Sequence, residues 1–254
     1  MHKGLVSIII PYHKKKNFFK KCFNSAYSQS YKNKEIIIVY DDNSKKELRF
    51  IKTITKKKKN ITILINKKKI GVGFSRNKGI SISKGEFIAF LDADDIWKKN
   101  KLKKQIKYMN KKNISASFTG YEIINENDNK IGSRKSKKII THKNLIYSCD
   151  IGLSTVILRK NKIVKNKLFP NLKTKEDYVF WLKLSREGIN FYGLSDKLTL
   201  WRKTRYSLSS NTMQKLIDGF KVYNFYLNFG FLKSCIHLFI LSLNFLFKKY
   251  RVKF

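Results

Sequence analysis

Acid is scarce in this chain of 254 residues: 17 Asp and Glu stand against 56 Lys and Arg, for a formal net charge of +39. An excess of that size ordinarily points to nucleic acid or to an anionic membrane. No zinc-finger spacing, basic heptad region or ribonucleoprotein aromatic signature is present, which argues against the familiar nucleic-acid modules. The excess is mostly Lys, in runs such as Lys14–Lys16, Lys56–Lys59 and Lys67–Lys69, and Asn, Ile, Phe and Tyr are abundant as well. All five have AT-rich codons, so the runs read first as base composition filling tolerant surface positions. An anionic membrane surface is the second reading, since basic residues near lipid each add about 1 kcal/mol.

Cysteine is scarce too. Cys22, Cys149 and Cys235 are far apart and odd in number, so neither a disulfide framework nor a zinc site follows, and a reducing compartment is expected. Met1–Leu5 leads directly into a strand pattern, so no signal peptide is expected and the catalytic part should face the cytoplasm. No internal repeat occurs at solenoid spacing. A hydrophobic content of 42% and an aromatic content of 14% exclude disorder. At this length they support one α/β domain, or a domain with an appendage.

The stretch Glu86–Trp97 organises the rest. Its short apolar run, introduced by Lys84-Gly85, reads as a fully buried strand. The run ends in Asp92, Asp94 and Asp95, three carboxylates within four residues. Acids at the carboxyl end of a buried strand lie where open α/β sheets bind ligands. Their mutual repulsion invites a hard cation with a preference for oxygen. The plainer alternative is that Asp94 or Asp95 caps a helix over Lys99–Lys112. One Asp is enough for a cap; three in so acid-poor a chain favour a site.

Around that strand the pattern alternates. Strands are expected at Leu5–Ile10 (broken by Pro11-Tyr12-His13), Glu35–Tyr40 and Ile61–Ile65, with helices over Asn17–Gln29 and Lys45–Lys57. Gly71–Gly79 is a glycine-bearing turn entering a further helix. It matches neither the Walker nor the dinucleotide loop, so plain strand–helix punctuation stays open, although Arg76 there could fork onto a carboxylate or phosphate. Strands alternating with helices imply a parallel sheet. Ile114–Phe118, with Tyr121–Asn125 as a candidate continuation, is a further strand, Asn127–Lys138 a polar loop, and Cys149–Leu158 returns to strand character. Lys173–Leu184 looks like a helix start capped by Thr174 or a neighbour, with Glu176 and Asp177 in its first turn. The helix dipole alone would justify acids there, but a carboxylate heading a buried helix also has the setting of a general base. Leu198–Trp201 reads as a last short strand.

The composition changes near 211. Phe229–Phe247 is strongly apolar but interrupted by Lys233, His237 and Asn244, which with Lys248 and Arg251 fall on one narrow helical face. That suits a helix lying in a membrane interface better than a span; a helix docked on its own domain or on a second subunit is the alternative. The expected division is therefore 1–210 and a helical, membrane-associating segment 211–254.

Five segments in order resemble an inverting family-two glycosyltransferase of the bacterial envelope-polysaccharide type: Val6–Tyr12, Asp41-Asp42-Asn43-Ser44, Gly71–Gly79 with Arg76-Asn77, Phe90–Asp95 as a D-x-D motif, and Glu176-Asp177 followed by Trp181-Leu182. The resemblance covers roughly residues 5–210. It implies the GT-A fold: a Rossmann-like, mostly parallel α/β sheet with helices on both faces, here with a C-terminal helical appendage. It implies transfer from a nucleotide-diphosphate sugar, usually UDP-linked, to a glycan or lipid-linked acceptor hydroxyl. Pro11 and Tyr12 would lie beside the nucleotide, Asp42 with Asp41 would accept from the base, Arg76 would face the nucleotide and Asp92 would contact ribose. Asp94 would hold Mn²⁺ or Mg²⁺, and Asp177 would be the general base, supported by Glu176. Three positions depart from the family pattern: His13 replaces a usual Asn, Asn43 a common Gly and Thr204 a common His. With no His at 204, Arg202 or Arg205 is expected on the phosphates. A nucleotidyltransferase of similar build, and a basic non-enzymatic binder of nucleic acid or membrane, are the competing readings. The first lacks a basic, glycine-rich triphosphate loop; the second predicts steep salt dependence and indifference to these carboxylates.

Overall fold

A computed structural model describes residues 1–163, 168–205 and 211–251, with side chains in the last helix described to 247. The first half runs β1 (His2–Tyr12), α1 (Lys16–Tyr27), β2 (Lys34–Tyr40), α2 (Lys45–Thr55), β3 (Ile61–Ile65), α3 (Val72–Ile82) and β4 (Gly85–Phe90). These strands lie in the order β3-β2-β1-β4, and every neighbouring pair is parallel. The β-branched runs explain why: strands buried on both faces read as continuous apolar segments. Alternate residues then serve two cores. Ile8, Ile10, Phe87 and Ala89 pack with Phe19, Phe23 and Ile51 on one face; Ile9, Ile88 and Phe90 pack with Ile80 on the other.

The second half comprises β5 (Ile96–Trp97), α4 (Lys101–Lys112), β6 (Ala116–Ile124), β7 (Lys130–Arg134), β8 (Ile139–Ile140), α5 (His142–Tyr147), a 3-10 turn Leu153–Thr155, β9 (Ile157–Arg159), α6 (Glu176–Arg186) and β10 (Phe191–Arg202). It extends the sheet as β9-β6-β10-β5, with β7 and β8 on its margins. Here the directions are mixed: β9 is antiparallel to both neighbours, whereas β10 is parallel to β6. This is the expected α/β build, with its parallel character concentrated in the first four strands.

Several elements differ from the sequence reading. Pro11 continues β1 instead of breaking it. Pairing with β4 stops at Ile9, so Pro11 sits where β1 has β2 as its neighbour, a position that tolerates a missing N–H. The expected polar loop 127–138 contains β7, turned back onto β6 through the Asn125 carboxamide, which accepts from the N–H groups of Asn127 and Asn129. Most of Cys149–Leu158 is irregular apart from the 3-10 turn, with only its end joining β9. β10 starts seven residues early, at Phe191: its polar stretch Ser195–Lys197 hides it in the sequence, while the β6 register carries it. Neither Asp94 nor Asp95 caps α4, whose N-cap is Asn100.

Beyond β10 lie α7 (Thr212–Lys221), a π-helical turn Val222–Tyr226 and α8 (Phe231–Arg251). Val222, Tyr223 and Leu241 share the hydrophobic cluster of α5 and α6, and the Tyr223 hydroxyl donates to the Ile146 carbonyl at 2.8 Å. Of the expected polar face of α8, Lys233 is exposed, whereas His237 and Asn244 are half-buried against the domain. His237 packs against Tyr147, Tyr223 and Phe229, and the Asn244 amide donates to the Tyr147 carbonyl at 2.9 Å. Side chains of Lys248 and Arg251, also assigned to that face, and the expected boundary at 210 lie outside the described residues. No helix among the described residues is long and apolar enough to cross a membrane.

Trp181 is the hub of the second core: fully buried, it meets Phe90, Phe169, Phe180 and Phe191 within 6.4 Å between ring centroids. Trp181→Ala is expected to cost about 3–5 kcal/mol in urea unfolding, and Trp181→Phe much less; equal midpoints for the two variants would contradict this packing.

Candidate active site

The loops after β1, β2 and β4 leave the sheet on one edge; those after β2 and β4 carry Asp41, Asp42, Asp92, Asp94 and Asp95, and Glu176 and Asp177 open α6. After β2, the Asp41 carboxylate accepts from the N–H groups of Ile70 and Gly71 at 2.9 and 2.8 Å and from the Asn66 amide at 2.9 Å. Gly71 adopts φ +88°, a conformation that costs glycine little. Asp41 is thus saturated by the glycine turn and shapes it. Asp42 accepts from the N–H groups of Lys14 and Ser44, both at 3.0 Å, and lies 3.3 Å from His13 Nδ1. It ties the end of β1 to the end of β2.

The D-x-D loop follows β4. Asp92 Oδ1 accepts from Arg76 Nη2 at 2.7 Å, and the other terminal nitrogen of Arg76 donates to Glu176 Oε1 at 2.6 Å. One buried guanidinium therefore joins the D-x-D motif to the Glu-Asp motif, 84 residues further along the chain by numbering (176 − 92). The close approach is possible because position 73 is glycine: a Cβ there would stand 2.8 Å from the Pro170 carbonyl oxygen and 3.5 Å from Glu176 Cγ. Asp94 pairs with Lys15 at 2.6 Å. Asp95 is fully buried and accepts the Arg202 N–H at 2.8 Å.

The carboxyl groups feel one another. Burial pushes the Glu176 carboxyl up to about 7, opposed by Arg76 and reinforced by Asp177. Burial also raises Asp177, opposed by Arg76, with Asp92 adding to the rise. Asp94 is raised by burial against the pull of Lys15, and Asp95 lies far above the usual carboxylate range through burial and its two acidic neighbours. Asp177 itself is half-buried, and the one hydrogen bond described for its carboxylate is the 2.7 Å contact from the Tyr178 N–H. Like Asp92 and Asp94, it is partly accessible.

Three residues assigned to the ligand are held by protein partners in this structure. Arg76 is buried, with its terminal nitrogens on the Asp92 and Glu176 carboxylates, so it organises the site from beneath. Tyr12 is also fully buried, its hydroxyl donating to Glu47 and its ring stacked on Tyr40; with Pro11 it forms the floor of the crevice. Arg202 is 3% exposed and directs its guanidinium to the carbonyls of Asp94 and Asn125 and to the Asp128 carboxylate, so it braces the loop that carries Asp94. Thr204 is buried, and its hydroxyl has no hydrogen-bond partner among the described residues.

Two further residues escaped the sequence reading. Ser154 Oγ accepts the Asp92 N–H at 3.0 Å, and its carbonyl accepts the Trp97 indole N–H at 2.7 Å. Asp218, on α7, accepts both the N–H and the hydroxyl of Thr174 at 2.9 Å. Thr174 is therefore not the cap of α6. That place belongs to Lys175, in a left-handed conformation at φ +63°. Asp218 fixes the turn that presents Glu176 and Asp177, and no local pattern in the sequence signals it.

Oxygen donors at Asp92 and Asp94 suit a hard divalent cation. No group of three or more metal-ligating side chains occurs among the described residues. Lys15 already brings positive charge to Asp94.

With acids from three separate segments converging on one crevice, the family comparison is decisive. The model of glycosyl transferase family 2 matches residues 7–172. The chain belongs to that family. It is 35% identical over 217 residues to the Escherichia coli UDP-Glc:α-D-GlcNAc-diphosphoundecaprenol β-1,3-glucosyltransferase WfgD, covering 85% of this chain and 84% of that protein. In three dimensions it resembles S. aureus TarS in complex with UDP-GlcNAc (TM-score 0.72, 21% identity, 92% of this chain and 70% of that one). It also resembles the mannosyltransferase PcManGT of Pyrobaculum calidifontis in complex with GDP-Man and Mn²⁺ (TM-score 0.69, 12% identity, 92% and 69%). The fold is GT-A, and the family membership sets aside the nucleotidyltransferase and non-enzymatic readings.

Asp218→Ala is expected to lower kcat about 10- to 100-fold through displacement of the base and to shift the pH dependence of kcat, with donor KM nearly unchanged and Asp218→Asn closer to wild type. An unaltered pH profile at reduced kcat would make Asp218 merely structural.

Proposed function

We propose that this glycosyltransferase moves a sugar, with inversion, from a UDP-sugar to a hydroxyl of a lipid-linked glycan at the inner face of the cell membrane, in envelope polysaccharide synthesis. The observation that carries the reading is the Asp92–Arg76–Glu176 bridge, which sets the half-buried Asp177 carboxylate beside the D-x-D loop in one crevice. Support for the donor comes from the UDP-sugars named for WfgD and TarS, and support for the acceptor from WfgD. Acceptor contacts are assigned to 121–155.

In this reading Asp177 takes the proton of the attacking hydroxyl as its oxygen bonds to the anomeric carbon. The bond from that carbon to the diphosphate breaks on the opposite face, and the nucleoside diphosphate leaves with the electron pair, as in other single displacements at a sugar. Asp42 and the Asp41-bound glycine turn border the nucleotide, and Asp92 lies toward the ribose. Asp94, with Asp92, would hold Mn²⁺ or Mg²⁺, which neutralises charge on the leaving diphosphate; PcManGT, with Mn²⁺, supports this. Glu176, held by Arg76, keeps the Asp177 carboxylate in place.

Asp177→Asn is expected to lower kcat ~10²–10⁴-fold while UDP-sugar still raises the melting temperature; wild-type turnover by the purified variant would remove Asp177 from the mechanism. Asp94→Ala should abolish transfer and the Mn²⁺-dependent part of the thermal shift. Glu176, pushed up to about 7, gains a proton as pH drops through that value, so kcat/KM should fall there. In Glu176→Gln that limb should be lost, leaving the titration of Asp177, still raised by burial and Asp92.

A further inference from the structure

Helix α8 is apolar on two sides. Ser234, Leu238 and Leu241 face the core with His237 and Asn244 at their edge, as described above. On the outer side Leu232, Ile236, Phe239, Leu243 and Leu246 recur at intervals of four, three, four and three residues, which places them in one stripe. Leu232 is 73% exposed, Phe239 63% and Leu243 37%. Phe231, Phe245 and Phe247 are exposed beside them, and α7 contributes Met213, Leu216 and Ile217. The two helices run antiparallel, with Phe220 against Phe231 at 5.6 Å and Lys215 over Phe245 at 5.5 Å. Nothing among the described residues covers this face, and exposed apolar patches of that extent mark interaction surfaces.

The surroundings identify the occupant. Lys233 is exposed at the margin of the stripe, the sequence continues into Lys248, Lys249 and Arg251, and the whole chain carries +39. A second copy would set that charge against itself. An anionic bilayer offers both an apolar phase for the stripe and counter-charge for the lysines. The same hairpin holds Asp218 on Thr174, so the surface that meets lipid is continuous with the turn presenting the base. We propose that α7 and α8 lie flat on an anionic membrane with the Leu232–Leu246 stripe immersed, setting the crevice beside the lipid that carries the acceptor. The acceptor part of this inference rests on the function proposed above; the lipid binding does not.

The test uses the full chain with vesicles of phosphatidylcholine alone or mixed with phosphatidylglycerol. The wild type should co-sediment with the anionic vesicles and less well as salt is raised. The triple variant Leu232→Ser, Phe239→Ser, Leu243→Ser keeps every charge and should bind about tenfold or more weakly. Phe239→Ser alone, the gentler change, should fall between them. Failure of the wild type to bind, or equal binding by the triple variant, would overturn the proposal. So would a wild-type dimer in sedimentation equilibrium that the triple substitution dissociates, since the stripe would then belong to a second copy. The thermal shift with UDP-sugar should be unchanged in the triple variant. Its absence in both proteins would sink the donor assignment while leaving the vesicle result standing.

Discussion

A single guanidinium holds this site together. Arg76 reaches from α3 to the partly accessible Asp92 on one side and the buried Glu176 on the other, and Arg76 and Glu176 lie where an unpaired charge is costly. The two carboxylates belong to motifs that the chain brings together only through the folded sheet, so the bridge makes the D-x-D loop and the Glu-Asp turn one object. Replacing Arg76 by an apolar residue would leave two carboxylates facing each other with little water. The raised Glu176 carboxyl shows that even with the arginine in place, burial outweighs pairing.

That bridge depends in turn on a scaffold of side chains committed to protein rather than ligand. Asp41 folds the glycine turn, Arg202 braces the loop of Asp94 and Asp95, Ser154 receives the Asp92 N–H, and Asp218 anchors the turn before Glu176. Each uses its hydrogen-bonding capacity internally, which leaves Asp92, Asp94 and Asp177 as the partly accessible acids. This division between supporting and presented groups is how fixed dipoles and charges reach a reacting centre without reorganising during reaction.

The parts legible in the sequence were those with local signals. Continuous β-branched runs gave β1 to β4, helical spacing gave α1, α2 and α4, and the clustered aspartates marked the crevice, because strand ends on one edge of a parallel sheet gather there. The second half was harder. β7 and the start of β10 are polar segments whose strand state comes from register with β6, and α5 is only six residues long, too short for periodicity to show. What the sequence did not show is how deeply Arg76, Tyr12 and Arg202, all assigned to a ligand, are engaged with protein partners. Sequence motifs report that a residue type is needed at a place; they do not report which way the side chain turns. The same gap left open whether α8 docks on its own domain; the Tyr147 carbonyl and the rings of Tyr223 and Phe229 draw His237 and Asn244 against it.

The large excess of positive charge makes the few acids unusually informative. Of the 17 acidic residues, seven (Asp41, Asp42, Asp92, Asp94, Asp95, Glu176 and Asp177) stand at the crevice. Others serve identifiable ties: Glu86 to Arg159, Glu122 to Lys98, Asp128 to Arg202 and Asp196 to Lys104. Surface positions, free to vary, have gone to lysine; carboxylates persist where a backbone N–H, a buried cation or the reaction requires one. The same imbalance favours a substrate that carries a diphosphate, because a basic surface raises the local concentration of anions before any specific contact forms. Attraction and selection are thereby separated. The lysines gather phosphate-bearing molecules without discrimination, and the small acidic crevice, which repels an anion unless a cation accompanies it, decides where the diphosphate comes to rest.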